Sequence, residues 1–229
     1  MSRASILSSL LALFLLSFSV FSQQINRPKE MTFSYVDHPT MVNNLIPLIK
    51  ATYDKLGIKT HFVVQPSNRN LRLVEENSLD GDVGYMRIVL SGYHNLITIE
   101  PPVVVGIFTL LCQPTIACTK DILTDKNQTV VTTAATLVGL QQGYKQEITS
   151  QFYTINNLSL IPEFIAIKRF KYAIYPTSEK DLWRIEAPDY QYVKLFDSNL
   201  YHVLNKKYAF MADEIGQALQ ATLTEKTTY

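Results

Sequence analysis

Glycine is scarce in this chain: eight residues of 229, with no cluster spaced to wrap a phosphate. That argues against the glycine-loop nucleotide sites. Cysteine is scarcer still. Only Cys112 and Cys118 occur, in the segment CQPTIAC, and no histidine stands at metal-ligand spacing from them. A zinc site built on that pair is therefore not expected. An excess of one charge is missing too. The net charge is +1, so the chain carries no electrostatic footprint for nucleic acid. The four histidines, at 38, 61, 94 and 202, form no i, i+4 pair and accompany no Ser-x-Gly elbow; metalloprotease and hydrolase signatures are absent with them. Asp37 beside His38 could serve as a base pair, but no nucleophile is evident. The residues name no catalytic group, no metal ligand and no cofactor.

What the chain does have is apolar material. Hydrophobic residues make up 47% and charged ones 18%, a globular composition with ample core. One apolar run stands apart. ASILSSLLALFLLSFSV, residues 4–20, follows a short basic start and holds no charge. It fits a secretory signal peptide, residues 1–22, cleaved after Ser22. The run is near the lower limit of about 17 residues for a membrane span. Its serines and the polar QQINRPKE behind it favour cleavage, and no cysteine follows to carry a lipid. The expected location is the periplasm. An exported chain can keep a disulfide. Five residues with a proline separate Cys112 from Cys118, so a bridge and two buried thiols both stay open.

Beyond the signal the pattern alternates. MTFSYV (31–36) reads as a strand. MVNNLIPLIKATYDKLG reads as a helix starting near Leu45 or kinked at Pro47, and ending at Gly57. IKTHFVVQ (58–65) is a second strand, a helix through Leu71 and Val74 follows, and VGYMR is a third strand. Strand, helix, strand, helix, strand at short spacing predicts a parallel sheet under covering helices. NLITIEPPVVVGIFTLLCQ gives two strand-like runs split by Pro101 and Pro102. TKDILTDKNQTVVTTAA reads as irregular, TLVGLQQG (136–143) as a strand with a glycine exit, and YKQEITSQFYTINN as a helix. LSLIPEF and KYAIYPT (171–177) read as strands, and SEKDLW as a short capped helix. YQYVKLF and NLYHVLNKKY are the last strands, before a closing amphipathic helix. The first round of alternation ends near 110, a second spans 111–185, and an αβ tail completes the chain.

Ligands of open α/β sheets sit beyond the carboxyl ends of strands. The segments to watch are therefore 37–40, 87–93, 143–145 and 176–178. Arg87, at a strand exit, has a fork of donors suited to a carboxylate; Asp80 and Asp82 are its local pairing alternatives. At Gly143, Tyr144 and Lys145 a strand would lead into a helix, whose free N–H groups welcome an anion. Tyr35, Tyr85, Tyr93 and Tyr172 recur near strand ends and could line a pocket or simply fill core and sheet surface.

Taken together, these segments resemble the type 2 periplasmic solute-binding proteins, in the extracellular solute-binding family 3-like branch related to amino-acid receptors. RNLRLVEENSLDGDVGYMR is similar to that family's helix, Asp-Gly turn and strand ending in arginine. NLITIEPPVVVGIFTLLC is similar to its run into the interlobe crossing, TLVGLQQGYKQE to its VGxQxG strand and helix start, and YHVLNKKYAFMADEIGQAL to its closing segment. The resemblance implies an α/β fold of two lobes, each a mostly parallel sheet covered by helices, joined by two crossing segments. Residues 23–110 with 186–229 would form lobe 1, and 111–185 lobe 2. It implies hinge closure on a small polar or anionic solute, amino-acid-like or an organic acid. Arg87, Asp37, Tyr35 and Tyr93 would contact the ligand from lobe 1, and Gly143, Tyr144 and Lys145 from lobe 2. The partner would be a membrane transporter, as in ABC import, or a sensor, with the protein a monomer and not an enzyme. The chain departs from the amino-acid receptors where they place an acid after a late second-lobe strand: KYAIYPTSEKD offers Tyr172 and Thr177 first, and Glu179 only later. Two other readings remain. One is a dehydratase-like enzyme using Asp37, His38 or Glu179, since fold does not fix function. The other is a degenerate, ligand-free module that contacts a sensor.

Overall fold

The strands form where β-branched and aromatic residues alternate, and the helices where apolar residues recur every three to four positions. In the computed structural model, residues 27–67, 69–185 and 190–227 are described; the expected signal peptide, residues 1–22, lies outside them. The first strand, β1 (Glu30–Tyr35), buries Met31 and Phe33. A π-turn (Met41–Leu45) leads into helix α1 (Ile46–Lys55). Pro47 stands in its first turn, where the missing N–H is harmless;. Leu48, Ile49, Thr52 and Tyr53 form its buried face. Gly57 ends the segment at φ +69°, a left-handed turn that glycine takes without a Cβ penalty. Strand β2 (Lys59–Val64), helix α2 (Asn70–Glu75) and strand β3 (Gly81–Met86) complete the expected first round.

Strand β4 (Leu96–Cys112) runs through the two prolines as one 17-residue strand, its register shifting between Ile99 and Val104. The second round differs from the sequence expectation. Residues 129–133 are not irregular but strand β5 (Thr129–Thr133), and 136–143 is not a strand but part of helix α3 (Ala134–Gly143). The apolar run TLVGL allows either reading. Burial of Thr136, Gly139 and Leu140, at helical spacing, decides it. The shift propagates: Gln151–Ile155 is strand β6 rather than helix, and Leu160–Ala166 is helix α4 rather than strand. Strand β7 (Tyr172–Ser178) stands as expected. The last two strand candidates merge into one strand, β8 (Gln191–Asn205), before helix α5 (Ala212–Thr227).

Among the described residues, eight strands join one sheet, in the order β2-β1-β3-β8-β4-β7-β5-β6. At one end β1 pairs with β2 and β3 in parallel. At the other, β5 pairs with β6 and β7 in parallel. Between them β4 and β8 run antiparallel to each other along nearly their whole lengths. These two long strands are the crossing segments. One core lies at the β1 end around Phe33, Ile49, Tyr53 and Leu219. Another, at the β5 end, holds Leu111, Val131, Ile161 and Ala173. A third cluster joins Met86 and Val89 to Phe108, Leu140 and Ile174 across the junction.

Cys112 and Cys118 are joined in a disulfide, which resolves the open alternative in favour of the bridge. Among the described residues no helix is long and apolar enough to cross a membrane.

Candidate functional site

The parallel strands at both ends of the sheet point their carboxyl ends toward the junction crossed by β4 and β8. There they line a partly open cavity of about 70 Å³, measured over the positions a water-sized sphere can occupy. About 10–15 Å³ on that measure admits one water, so the space suits a compact solute or several waters. From the β1 side come Val36, His38 and Thr40 just past β1, and Gly84, Tyr85 and Met86 at the end of β3. From the β5 side come Thr133 and Thr136 at the β5–α3 junction, Leu158 past β6, and Pro176 and Thr177 near the end of β7. The crossing strands supply the remainder, with Ile107, Phe108, Ser198 and Leu200 among them. Gly106 belongs to this wall. A Cβ there would stand 2.6 Å from Leu200 Cδ1 and 2.8 Å from the Ser198 carbonyl oxygen, so only glycine lets β4 and β8 come this close.

Local chemistry fixes the polar members. Thr133 caps α3, its hydroxyl oxygen accepting the Thr136 backbone N–H at 3.2 Å and sharing a hydrogen bond with the Thr136 hydroxyl at 2.9 Å;. His38 is buried, and its Nδ1 accepts the Thr40 backbone N–H at 3.1 Å. An imidazole accepting at Nδ1 carries its proton on Nε2 and is neutral. Its ring lies 5.2 Å from that of Tyr175.

Direct bonds hold the two sides together around the cavity. The buried Asp181 carboxylate, in the turn after β7, accepts hydrogen bonds from the Thr40 hydroxyl at 2.6 Å and the Asn44 amide at 3.2 Å. It also accepts the Ser178 hydroxyl at 2.8 Å. Ser159 donates to Asp37 at 3.2 Å. On the opposite flank Met86 packs on α3 at Gly139.

The seven residues expected to contact a ligand are not gathered here. Arg87 follows β3 directly but is half-exposed and engaged elsewhere. It pairs with Glu100, donates to Thr98 Oγ1 at 3.0 Å, and lies 3.8 Å over the Tyr201 ring. Its carboxylate partner is thus neither Asp80 nor Asp82. Asp80 accepts from the Thr32 backbone at 2.8 Å and pairs with Lys207. Asp82 is buried in the lobe core, accepting from Ser34 and Asn70. Tyr35 and Asp37 flank the cavity residue Val36, Tyr35 packing on the β1-side core and Asp37 facing Ser159. Tyr93 packs against the junction cluster, and burial pushes its phenol up, with Glu75 adding to the effect.

Gly143, Tyr144 and Lys145 correct the expectation most sharply. Gly143 ends α3, and the Tyr144 N–H donates to the Leu140 carbonyl at 2.8 Å. This is the carbonyl-rich, negative end of a helix, not the N–H-rich end that an anion seeks. Gly143 is there for packing: a Cβ would fall 2.4 Å from the Phe196 ring. Lys145 is exposed.

No protein-family model matches the sequence, and no curated protein matches it either. Solved structures do match the fold. The GluR0 ligand-binding core from Nostoc punctiforme in complex with L-glutamate superposes with a TM-score of 0.69 at 15% identity, over 88% of this chain and 95% of that one. Arginine-bound ArgBP from T. maritima gives 0.68 at 10% identity, over 84% and 96%. A putative L-cystine ABC transporter protein from Listeria monocytogenes gives 0.66 at 12%, over 86% and 91%. The chain has the type 2 periplasmic solute-binding fold. In this binding-protein fold the two lobes are the two ends of the sheet, and β4 and β8 are the crossings between them.

Several residues of the cavity were legible at the level of segment. His38 and Thr40, and Pro176 and Thr177, fall in two of the four strand-exit segments expected to matter. The contribution of Thr133 and Thr136 was missed because β5 was not recognised. The signal for it was a threonine pair with i, i+3 spacing before an apolar run, a helix N-cap pattern. Ser198 and Leu200 lie in mid-strand, where no sequence pattern marks a pocket.

Proposed function

We propose that the chain is an exported, non-enzymatic solute-binding protein that closes on a small solute at the interlobe cavity. Residues 23–110 with 186–229 form lobe 1 and 111–185 form lobe 2, after removal of the signal peptide 1–22. The observation that carries this reading is the convergence of strand ends from both halves on one cavity, with Asp181 bonded across its rim to Thr40 and Asn44. Contacts made only when the lobes meet are what a closing receptor requires. The likeness in fold to proteins described with glutamate and arginine bound supports the same reading. The protein would act in the periplasm as a monomer and present its loaded form to a membrane transporter or sensor. Of the three groups considered as a base for an enzyme on this scaffold, only His38 lines the cavity. Asp37 is exposed, and Glu179 is exposed and lies 3.7 Å from Lys194.

Thermal unfolding against a broad panel of small solutes tests this. A solute present at a hundred times its dissociation constant stabilises the folded state by about 2.7 kcal/mol. At least one compound should raise the melting temperature in a saturable way. A panel of sugars, amino acids, organic acids, alcohols and amides with no such member would overturn the proposal.

A further inference from the structure

The chemistry of the cavity wall limits what it can hold. Among the described residues lining it there is no Asp, Glu, Lys or Arg. The polar groups are hydroxyls, chiefly those of Thr40, Thr133, Thr136, Thr177 and Ser198, together with the neutral ring of His38. The walls between them are apolar: Val36, Met86, Ile107, Phe108, Leu158 and Leu200. Charged groups near the rim are already committed. The Asp181 carboxylate lies one hydrogen bond behind Thr40 and also accepts from Asn44 and Ser178. The Arg87 guanidinium is paired with Glu100 on the crossing strand, away from the lining.

An ion moved from water into such a space loses hydration, and no opposite charge on the lining offsets the loss;. A neutral solute loses far less. Hydroxyls can donate to or accept from its one or two polar atoms, and the apolar wall gains from covering its body. Resting on the binding-protein reading above, we infer that the solute is a compact uncharged molecule with an apolar body and one or two hydroxyl or carbonyl oxygens, rather than an amino-acid zwitterion or an organic anion.

Calorimetric titration with matched probes tests this. Each uncharged probe is set beside its ionic counterparts: isobutyramide beside isobutyrate and isobutylammonium, and phenol beside benzoate and benzylammonium. L-glutamate and L-arginine are included. The Ala135→Phe variant serves as the blocked form, because Ala135 lines the cavity from the first turn of α3 and is only partly buried. A circular dichroism melt establishes that this variant folds; should it not, Thr177→Phe replaces it. The expected result is saturable binding of at least one uncharged probe. Its charged counterparts should bind more than about 100-fold more weakly, in line with an unpaired ion costing several kcal/mol, and binding should be lost in the blocked form. A charged probe that binds as tightly as its neutral counterpart, and is lost in the blocked form, overturns the inference about solute charge and leaves the receptor reading intact. Neutral binding that survives in the blocked form overturns the assignment to this cavity. No binding of any probe overturns the inference, and with a silent thermal panel it overturns the receptor reading as well.

Discussion

Arg87 behaves as a rivet between crossing strands. Its guanidinium joins Thr98 and Glu100 on β4 to the face of Tyr201 on β8. A half-exposed ion pair and an exposed cation–π contact are each worth about 1 kcal/mol or less. Arg87→Ala should therefore lower unfolding free energy by about 1 kcal/mol in a denaturant titration, while solute affinity stays unchanged. A large loss of affinity with little loss of stability would return Arg87 to the ligand. Gly143 carries a sharper expectation. Any Cβ there meets the Phe196 ring, which stacks on Phe108 at 4.4 Å between centroids. Gly143→Ala should cost about 1–3 kcal/mol through overpacking, visible as a lowered melting temperature. Both residues stand out in the sequence, one as an arginine at a strand exit and the other as a glycine ending an apolar run. The sequence does not disclose which neighbour each one serves. Glu100 and Phe196 lie 13 and 53 positions away, and side-chain pairing at such separations leaves no local pattern.

At the scale of elements, β3 and β8 share a buried polar network. Asp82 accepts from the Ser34 hydroxyl at 2.7 Å, the Asn70 amide at 2.8 Å and the Gly84 N–H at 3.0 Å. Burial still dominates and pushes its carboxyl from the ordinary 3.8 up to about 7. Its backbone carbonyl accepts the His202 Nδ1–H at 2.8 Å, and the Tyr53 hydroxyl donates to His202 Nε2 at 2.8 Å. Burial lowers that imidazole from 6.5 to about 4. The two groups pull in opposite directions. Between about pH 4 and 7 the folded Asp82 keeps a proton that the unfolded chain releases, so its contribution to stability falls as pH rises. Between about pH 4 and 6.5 the unfolded chain protonates His202 and the folded one does not, so that contribution rises with pH. Each slope is about 1.4 kcal/mol per pH unit. Across the shared window they nearly cancel, leaving a small loss from about pH 6.5 to 7. Asp82→Asn removes one arm. Its stability, followed by urea unfolding from pH 4 to 8, should climb through pH 6.5 and then level, where the wild type stays nearly flat. A flat profile in the variant would contradict the assignment. Asn is suited to the position because the buried Asn70 Oδ1 has no hydrogen-bond partner and could accept from the new amide.

The latch at Asp181 is the other element-scale feature. It accepts from Thr40 and Asn44 in the turn before α1 and from Ser178 at the end of β7. Asp181→Ala leaves buried donors unmatched, at about 1–3 kcal/mol, and removes bonds that exist only when the lobes meet. Small-angle scattering should show a larger radius of gyration for the variant without added solute. An unchanged radius would mean that packing alone, such as Met86 against α3, keeps the lobes together.

For the whole molecule, the first half was legible because its elements carry a strong period: alternation in β1 and β2 and helical spacing in α1. The Asp-Gly pair marks only where β3 begins, since Gly81 is its first residue and the chain turns earlier, at Glu76 and Asn77. The second round slipped by one element. β5 is five residues long and reads TVVTT, polar enough to pass for loop, and α3 reads AATLVGLQQG, apolar enough to pass for strand. The family resemblance located the fold correctly, yet three of its expected ligand residues, Gly143, Tyr144 and Lys145, were attached to a strand–helix junction that is a helix end in this chain. The cavity itself belongs to the molecule rather than to any segment. It exists because two long strands carry both lobes and bring the carboxyl ends of distant strands together. Mass spectrometry of the small molecules released on denaturing protein purified from an exporting host tests this most directly, with wild type and Ala135→Phe side by side. The account predicts one compact uncharged compound released in near-stoichiometric amount from the wild type and missing from the variant. The same compound released from both, or none from the wild type, would contradict it.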